Sequence, residues 1–165
     1  MTNKLFVALF LVASILTIAL LLRLSGYATD SKKLTSTAMV DGLLAKCPNT
    51  PNCVSSELHE DDKHSVRAIT LSRHLTENPW PLVKETIEIM GGTIVDEQDM
   101  YLSAHFSSKI FKFVDDFEVR WDQPAGLLHI RSASRVGYSD LGENKRRIAE
   151  FKSRLITLDK NRANN

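Results

Sequence analysis

The chain has 165 residues, with 21 basic and 20 acidic side chains and a net charge of +1. That balance excludes the basic excess by which a nucleic-acid binder neutralises phosphates, so no nucleic-acid partner is expected. With 43% apolar and 25% charged residues the composition is globular, neither disordered nor fibrous, and enough for one core.

The first element is hydrophobic. Residues 5–22 read LFVALFLVASILTIALLL, eighteen positions without a charge. As a helix they reach about 27 Å, close to the hydrocarbon thickness of a bilayer. The hydroxyls of Ser14 and Thr17 can bond back to helix carbonyls, so neither is costly in lipid. A cleaved signal peptide is the competing reading, with Gly26-Tyr27-Ala28 as a weak cleavage site. The run is long for that purpose and Arg23 ends it like a stop, so residues 1–28 are read as a retained anchor that meets the membrane through residues 5–22. Lys4 and the amino terminus precede the span, while Arg23, Lys32 and Lys33 follow it, which leaves orientation undecided by charge.

A polar-to-weakly-apolar tether is expected over residues 29–43. Cys47 and Cys53 follow in CPNTPNC, where Pro48, Asn49, Pro51 and Asn52 are all turn formers. A compact turn brings two such cysteines within bonding distance, and a disulfide is the simplest use of them. Two free thiols, or half of a metal or redox site, are the alternatives. A disulfide implies an oxidising compartment, which orients the chain with its N-terminus cytoplasmic and its domain periplasmic or otherwise extracytoplasmic.

The rest of residues 44–64 lacks periodicity and reads as loop. Residues 65–71 alternate weakly and predict a first strand. A helix follows, with Asn78 as cap, Pro79 at its first position, and Trp80, Val83, Ile87 and Met90 on one apolar stripe; Gly91-Gly92 ends it. Strands are predicted over residues 93–96, 101–107, 113–121 and 127–133. In the third, Phe117, Val119 and Trp121 alternate with Asp116, Glu118, Arg120 and Asp122, the pattern of an antiparallel strand with one wet face. A final helix places Ile148, Phe151 and Leu155 on one side, and residues 159–165 form a polar tail. The predicted class is α+β: an antiparallel sheet of about five strands in the order β-α-β-β-β-β-α, both helices on one face, behind one N-terminal transmembrane helix. The other face would carry the alternating charges or lie under the cysteine loop.

Two motifs, CPNTPNCVSSE (47–57) and RSASRVGYSDLGENKRRI (131–148), with FVDDFEVRWD between them, resemble the family known as domain of unknown function 1499. The resemblance covers residues 44–158. Glu143 departs from the more apolar residue expected between Leu-Gly and Asn. The resemblance implies a bacterial or plastid protein, often carrying an N-terminal hydrophobic segment, and it implies no activity.

The stretch from Arg131 to Asp140 is the least ordinary. Arg131, Ser134, Arg135, Tyr138 and Ser139 lie between a strand end and a helix start, where backbone N–H groups and guanidinium forks can share an anion. The plainer reading pairs Arg131 and Arg135 with Asp115, Asp116 or Glu118 and leaves Ser139 or Asp140 as a helix cap. Asp115-Asp116 makes a poor catalytic dyad, since neighbouring strand residues face opposite ways. His59, Asp61, Asp62 and His64 offer ligands for a divalent ion but read more simply as a solvated loop. No phosphate-loop or dinucleotide pattern occurs, and no cofactor, metal or catalytic residue is assigned. The expected function is a non-catalytic binding module for a small anionic or lipid-like ligand or a protein partner. The alternative is a hydrolase using His59 or His64 with loop carboxylates.

Overall fold

A computed structural model describes residues 2–34, 39–57, 63–72, 75 and 77–163. In chain order the elements are α1 (Thr2–Lys33), β1 (Met39–Val40), β2 (Leu43–Leu44), β3 (Cys53–Ser55), β4 (Ile69–Thr70), α2 (Trp80–Ile89), β5 (Thr93–Gln98), β6 (Tyr101–Ser107), β7 (Val114–Asp122), β8 (Leu127–Ser134) and α3 (Glu143–Ala163). The main sheet has the order β3-β8-β7-β6-β5, with β4 also paired to β8, and every pairing within it is antiparallel. The α+β class, the antiparallel sheet and the N-terminal apolar helix match the expectation.

Helix α1 is long and apolar enough to cross a membrane, and none of its apolar window is buried against the protein. Ser14 and Thr17 do bond back, to the carbonyls of Phe10 and Ala13 at 2.9 Å each. The helix runs on to Lys33, at 1.5 Å per residue about 48 Å in all, so its last turns extend well past the apolar run. There the surface changes character, and Ala28 and Ser31 are buried against the domain.

The core lies between the sheet and the pair α2 and α3. Phe117, Val119, Trp121, Leu128 and Ile130 from the central strands meet Leu82, Val83 and Ile87 of α2 and Ile148, Phe151 and Leu155 of α3. The rings of Phe106, Phe117 and Phe151 form a row with centroid spacings of 5.6 and 5.0 Å. Helix α2 starts where Asn78 Oδ1 accepts from the Trp80 amide at 3.1 Å, with Pro79 one position earlier than expected, as the cap residue. It stops at Gly91, whose φ of +81° suits glycine. A Cβ on Gly92 would come within 2.6 Å of Ile87 Cγ2 and 2.7 Å of Phe106 Cζ, so the second glycine lets the chain turn close beneath the core.

Three local expectations need correction. The strand predicted over residues 65–71 is only Ile69–Thr70, because its weak alternation was spent on one short pairing with β8. The strand beside it is β3, from within the stretch read as loop; its cysteine and serine mask the periodicity, yet all three residues are buried. The polar side of β7 is not wet. Asp116 and Glu118 are buried there, under the β1–β2 hairpin, which packs on β7 and β8, and beside Cys47 and Pro48. The cover falls partly where the cysteine-loop alternative placed it.

Cys47 and Cys53 are bonded, with Cα atoms 5.6 Å apart, and the described residues hold no free cysteine. The bond ties the hairpin side of the loop to β3. For the full chain in detergent, Cys47→Ser/Cys53→Ser should lower unfolding stability by about 2 kcal/mol, the amount expected for so short a closed loop. Denaturant unfolding with an unchanged slope and a lower midpoint is the expected result.

Candidate functional site

The strand β8 and the connection to α3 bring the singled-out residues to one end of the sheet, where they divide between its two sides. Because side chains alternate, Arg131 faces the hairpin side, while Ser132 and Ser134 face the helices. Arg131 pairs with Glu118, its register neighbour on β7, and both are buried. Tyr101 of β6 donates its hydroxyl to the other Glu118 oxygen at 2.9 Å. Two residues further along β7, on the same side, Arg120 donates to Glu57 at 2.6 Å.

Arg135 follows the end of β8 and points back along the same side. Its Nε and Nη2 donate to Asp116 Oδ1 at 2.9 and 2.7 Å. Its Nη1 donates to the backbone carbonyls of Ser31, at 3.3 Å, and Leu34. Those carbonyls are the C-terminal end of α1, where a helix leaves acceptors unsatisfied and carries partial negative charge. Ser31 completes the joint: its hydroxyl donates to the Ala28 carbonyl at 2.7 Å and accepts from the Val114 amide at 3.1 Å. One arginine thus binds α1 to the sheet.

On the helix side a second polar cluster forms. Asn144, in the first turn of α3, donates to the Asn52 carbonyl at 2.9 Å and to Ser134 Oγ at 3.1 Å, and accepts from Ser132 Oγ at 2.6 Å. Arg147 donates to Asn144 Oδ1 at 2.6 Å and to Asp115 Oδ2 at 2.8 Å, and lies 4.9 Å over the Phe106 ring. Asp140 caps α3 by accepting from the Asn144 amide at 2.7 Å. Asn52 Nδ2 donates to the Gly137 carbonyl at 2.9 Å, fastening the disulfide loop to the same turn.

Two cavities use residues of the Arg131–Ser139 stretch. One, of about 410 Å³, opens where α1 meets the domain. Leu24 and Tyr27 line it from the helix, Phe113, Val114 and Val136 from the domain, and Ser134 and Ser139 are at its wall. The other, of about 420 Å³, brings Arg131, Ser134 and Arg135 together with Lys46 and Asp116. Tyr138 lines neither and is 72% exposed. The sequence reading missed Leu24, Tyr27, Phe113 and Val136 as cavity residues. An aromatic five positions after the apolar run is the one signal that pointed there.

Of the histidines, His64 is buried with Nδ1 2.8 Å from the Cys53 carbonyl oxygen, while His59, Asp61 and Asp62 lie outside the described residues. Among the described residues no three His, Cys, Asp or Glu are grouped to hold a metal. Ser56 Oγ lies 3.3 Å from His129 Nδ1, and burial, helped by Arg120, lowers the His129 pKa from its ordinary value. Neither Ser56 nor His129 lines either cavity.

Truncating Arg131 leaves the Glu118 carboxylate buried without its arginine. Arg131→Ala should cost about 3–5 kcal/mol of unfolding stability, whereas Arg131→Met with Glu118→Leu should recover most of it. Asp116 gives a pH signature. Burial outweighs Arg135 and raises its carboxyl above the usual 3.8. The native state therefore holds that proton more tightly than the unfolded chain. Its stabilising effect is greatest below about pH 3.8 and declines as pH rises through the raised value. The stability of wild type relative to Asp116→Asn should fall across that acid range and then level off, as read by denaturant unfolding at successive pH values.

A comparison with curated proteins finds no match to the chain. The family model for proteins of unknown function, DUF1499, matches residues 43–155, from β2 through most of α3, and spans the disulfide loop, the buried pairs and the Asn144 cluster. The chain belongs to this DUF1499 family.

Proposed function

We propose that the protein is a retained, single-pass membrane protein whose extracytoplasmic domain binds the apolar chain of a membrane lipid or lipid-like molecule. The cavity between α1 and the sheet end is the binding site. The observation that carries this reading is where that cavity sits. Leu22 ends the apolar run, and Leu24 and Tyr27 lie about 3 and 8 Å further along the helix axis. The interfacial layer of a bilayer is about 5–8 Å deep on each side. A cavity walled by Leu24 and Tyr27 therefore stands level with the headgroups, where a lipid chain has the shortest path into it.

Its chemistry supports an apolar occupant. Leu24, Tyr27, Phe113, Val114 and Val136 supply its large apolar side chains, and the acidic groups that line it are already engaged. Asp115 pairs with Arg147, Asp140 caps α3, and Glu143 pairs with Arg146. The hydroxyls of Ser108, Ser134 and Ser139 are wall groups suited to a headgroup or carbonyl. Arg131 and Arg135 are balanced by Glu118 and Asp116, which favours a lipid-like ligand over a small free anion. The disulfide supports the extracytoplasmic side.

Lipids extracted from the full chain, purified from membranes in mild detergent, should include a species retained after exchange into a second detergent. Val136→Trp and, from the other wall, Leu24→Trp should fill the cavity and reduce that species several-fold without lowering the unfolding temperature. Equal retention by wild type and both variants would remove the cavity from consideration.

A further inference from the structure

The connection between β6 and β7 and the connection between β8 and α3 leave the sheet at the same end, as the pairings Ser107↔Val114 and Asp115↔Ser134 require. Both flank the stretch of α1 that contains Leu24 and Tyr27, since Ser108, Phe113, Val136, Gly137 and Ser139 share a cavity with those two residues. Three large apolar side chains stand out from these loops: Ile110 at 83%, Leu141 at 86% and Tyr138 at 72% exposure. No comparable trio occupies the turn at the opposite end, Gln123 to Gly126, where the chain is polar or small.

The loops are built to hold this display. The Ser108 amide donates to the Phe113 carbonyl and the Phe113 amide to Ser108 Oγ, both at 2.9 Å, which closes the base of the first loop. Lys112 and Leu141 adopt φ of +61° and +55°, the left-handed region that non-glycine residues visit at a cost. Leu141 is held there by the Ser139 and Asp140 side chains, which accept from the amides of Leu141 and Gly142 at 3.3 and 2.9 Å. The first loop also mixes basic with apolar residues: Lys109, Ile110, Phe111, Lys112, Phe113. Aromatic and aliphatic side chains interspersed with lysine are the composition of a segment that lies in a headgroup layer.

The geometry points to a second membrane contact: the loops 108–113 and 136–141 seat the domain on the outer surface of the bilayer that α1 crosses. Ile110, Tyr138 and Leu141 enter the interface, and Lys109 and Lys112 meet anionic headgroups. The inference rests on the retained anchor in the proposed function, and it holds whether or not the cavity is filled.

Single cysteines at Ile110, Leu141, Leu11 and Ala125, each carrying an environment-sensitive fluorophore, test it in the full chain in phosphatidylcholine–phosphatidylglycerol nanodiscs doped with nitroxide-labelled lipid. Labels at 110 and 141 should be quenched several-fold more than the label at 125 on the opposite turn. Quenching at 110 should weaken when phosphatidylglycerol is left out. If 110 and 141 remain as unquenched as 125 while 11, within the span, is quenched, the loops stay in water and the patch belongs to a protein partner or a second copy. An unquenched label at 11 would instead remove the anchor on which the inference stands. Unlabelled wild type supplies a second readout: amides of 108–113 and 136–142 should exchange hydrogen more slowly in nanodiscs than in detergent, and those of 123–126 should not.

Discussion

A helix that ends against a protein surface leaves its last carbonyls without partners, and a strand that carries an aspartate inward leaves a charge without one. Arg135 meets both needs with one guanidinium, two N–H groups on Asp116 and the third on the Ser31 and Leu34 carbonyls. Ser31 repeats the economy on a smaller scale by serving both α1 and the Val114 amide. The position of the cavity beside α1 follows from this joint. Remove the guanidinium and a helix terminus and a buried carboxylate lose their partner together.

The neighbouring pair is of a different kind. Glu118 and Arg131 contribute little net stability, since desolvating both charges offsets much of their attraction. Their effect is on register. A slip of one residue by β7 would turn Glu118 into the apolar core, turn Phe117 and Val119 out of it, and part Glu118 from Arg131, which keeps its face of β8. Tyr101 on β6 extends the same specification to a third strand. The polar face of this sheet therefore fixes the alignment of its strands, while the apolar face opposite supplies most of the burial.

Much of the architecture was legible because its long elements have strong periods. The stripe Trp80, Val83, Ile87 and the alternation through Phe117, Val119 and Trp121 announce a helix and a strand irrespective of context. What escaped were features that depend on partners distant in sequence. β3 is three residues long and includes a cysteine, so only its pairing with β8 identifies it. The burial of Asp116 and Glu118 is invisible to a pattern that treats charge as exposure, because the arginines that neutralise them come from β8 and the residue just after it. The plainer pairing of those arginines was readable, but their reach to α1 was not. The cavity was hidden for the same reason: its walls combine residues 24 and 27 with residues more than eighty positions later. Asn144 and Asn52, which hold the disulfide loop to α3, are ordinary polar residues until the fold brings them together.

The unbroken course of α1 from the apolar run to Arg135 has a kinetic consequence. A domain on a loose tether sweeps a hemisphere of solution and meets soluble molecules and membrane components alike. In the proposed anchoring, a domain fixed to the end of its own span samples a thin layer parallel to the bilayer, and moves by lateral diffusion of the whole protein. Its encounters are then planar, and a molecule confined to the same sheet of lipid reaches it at a far higher local concentration than one dissolved above.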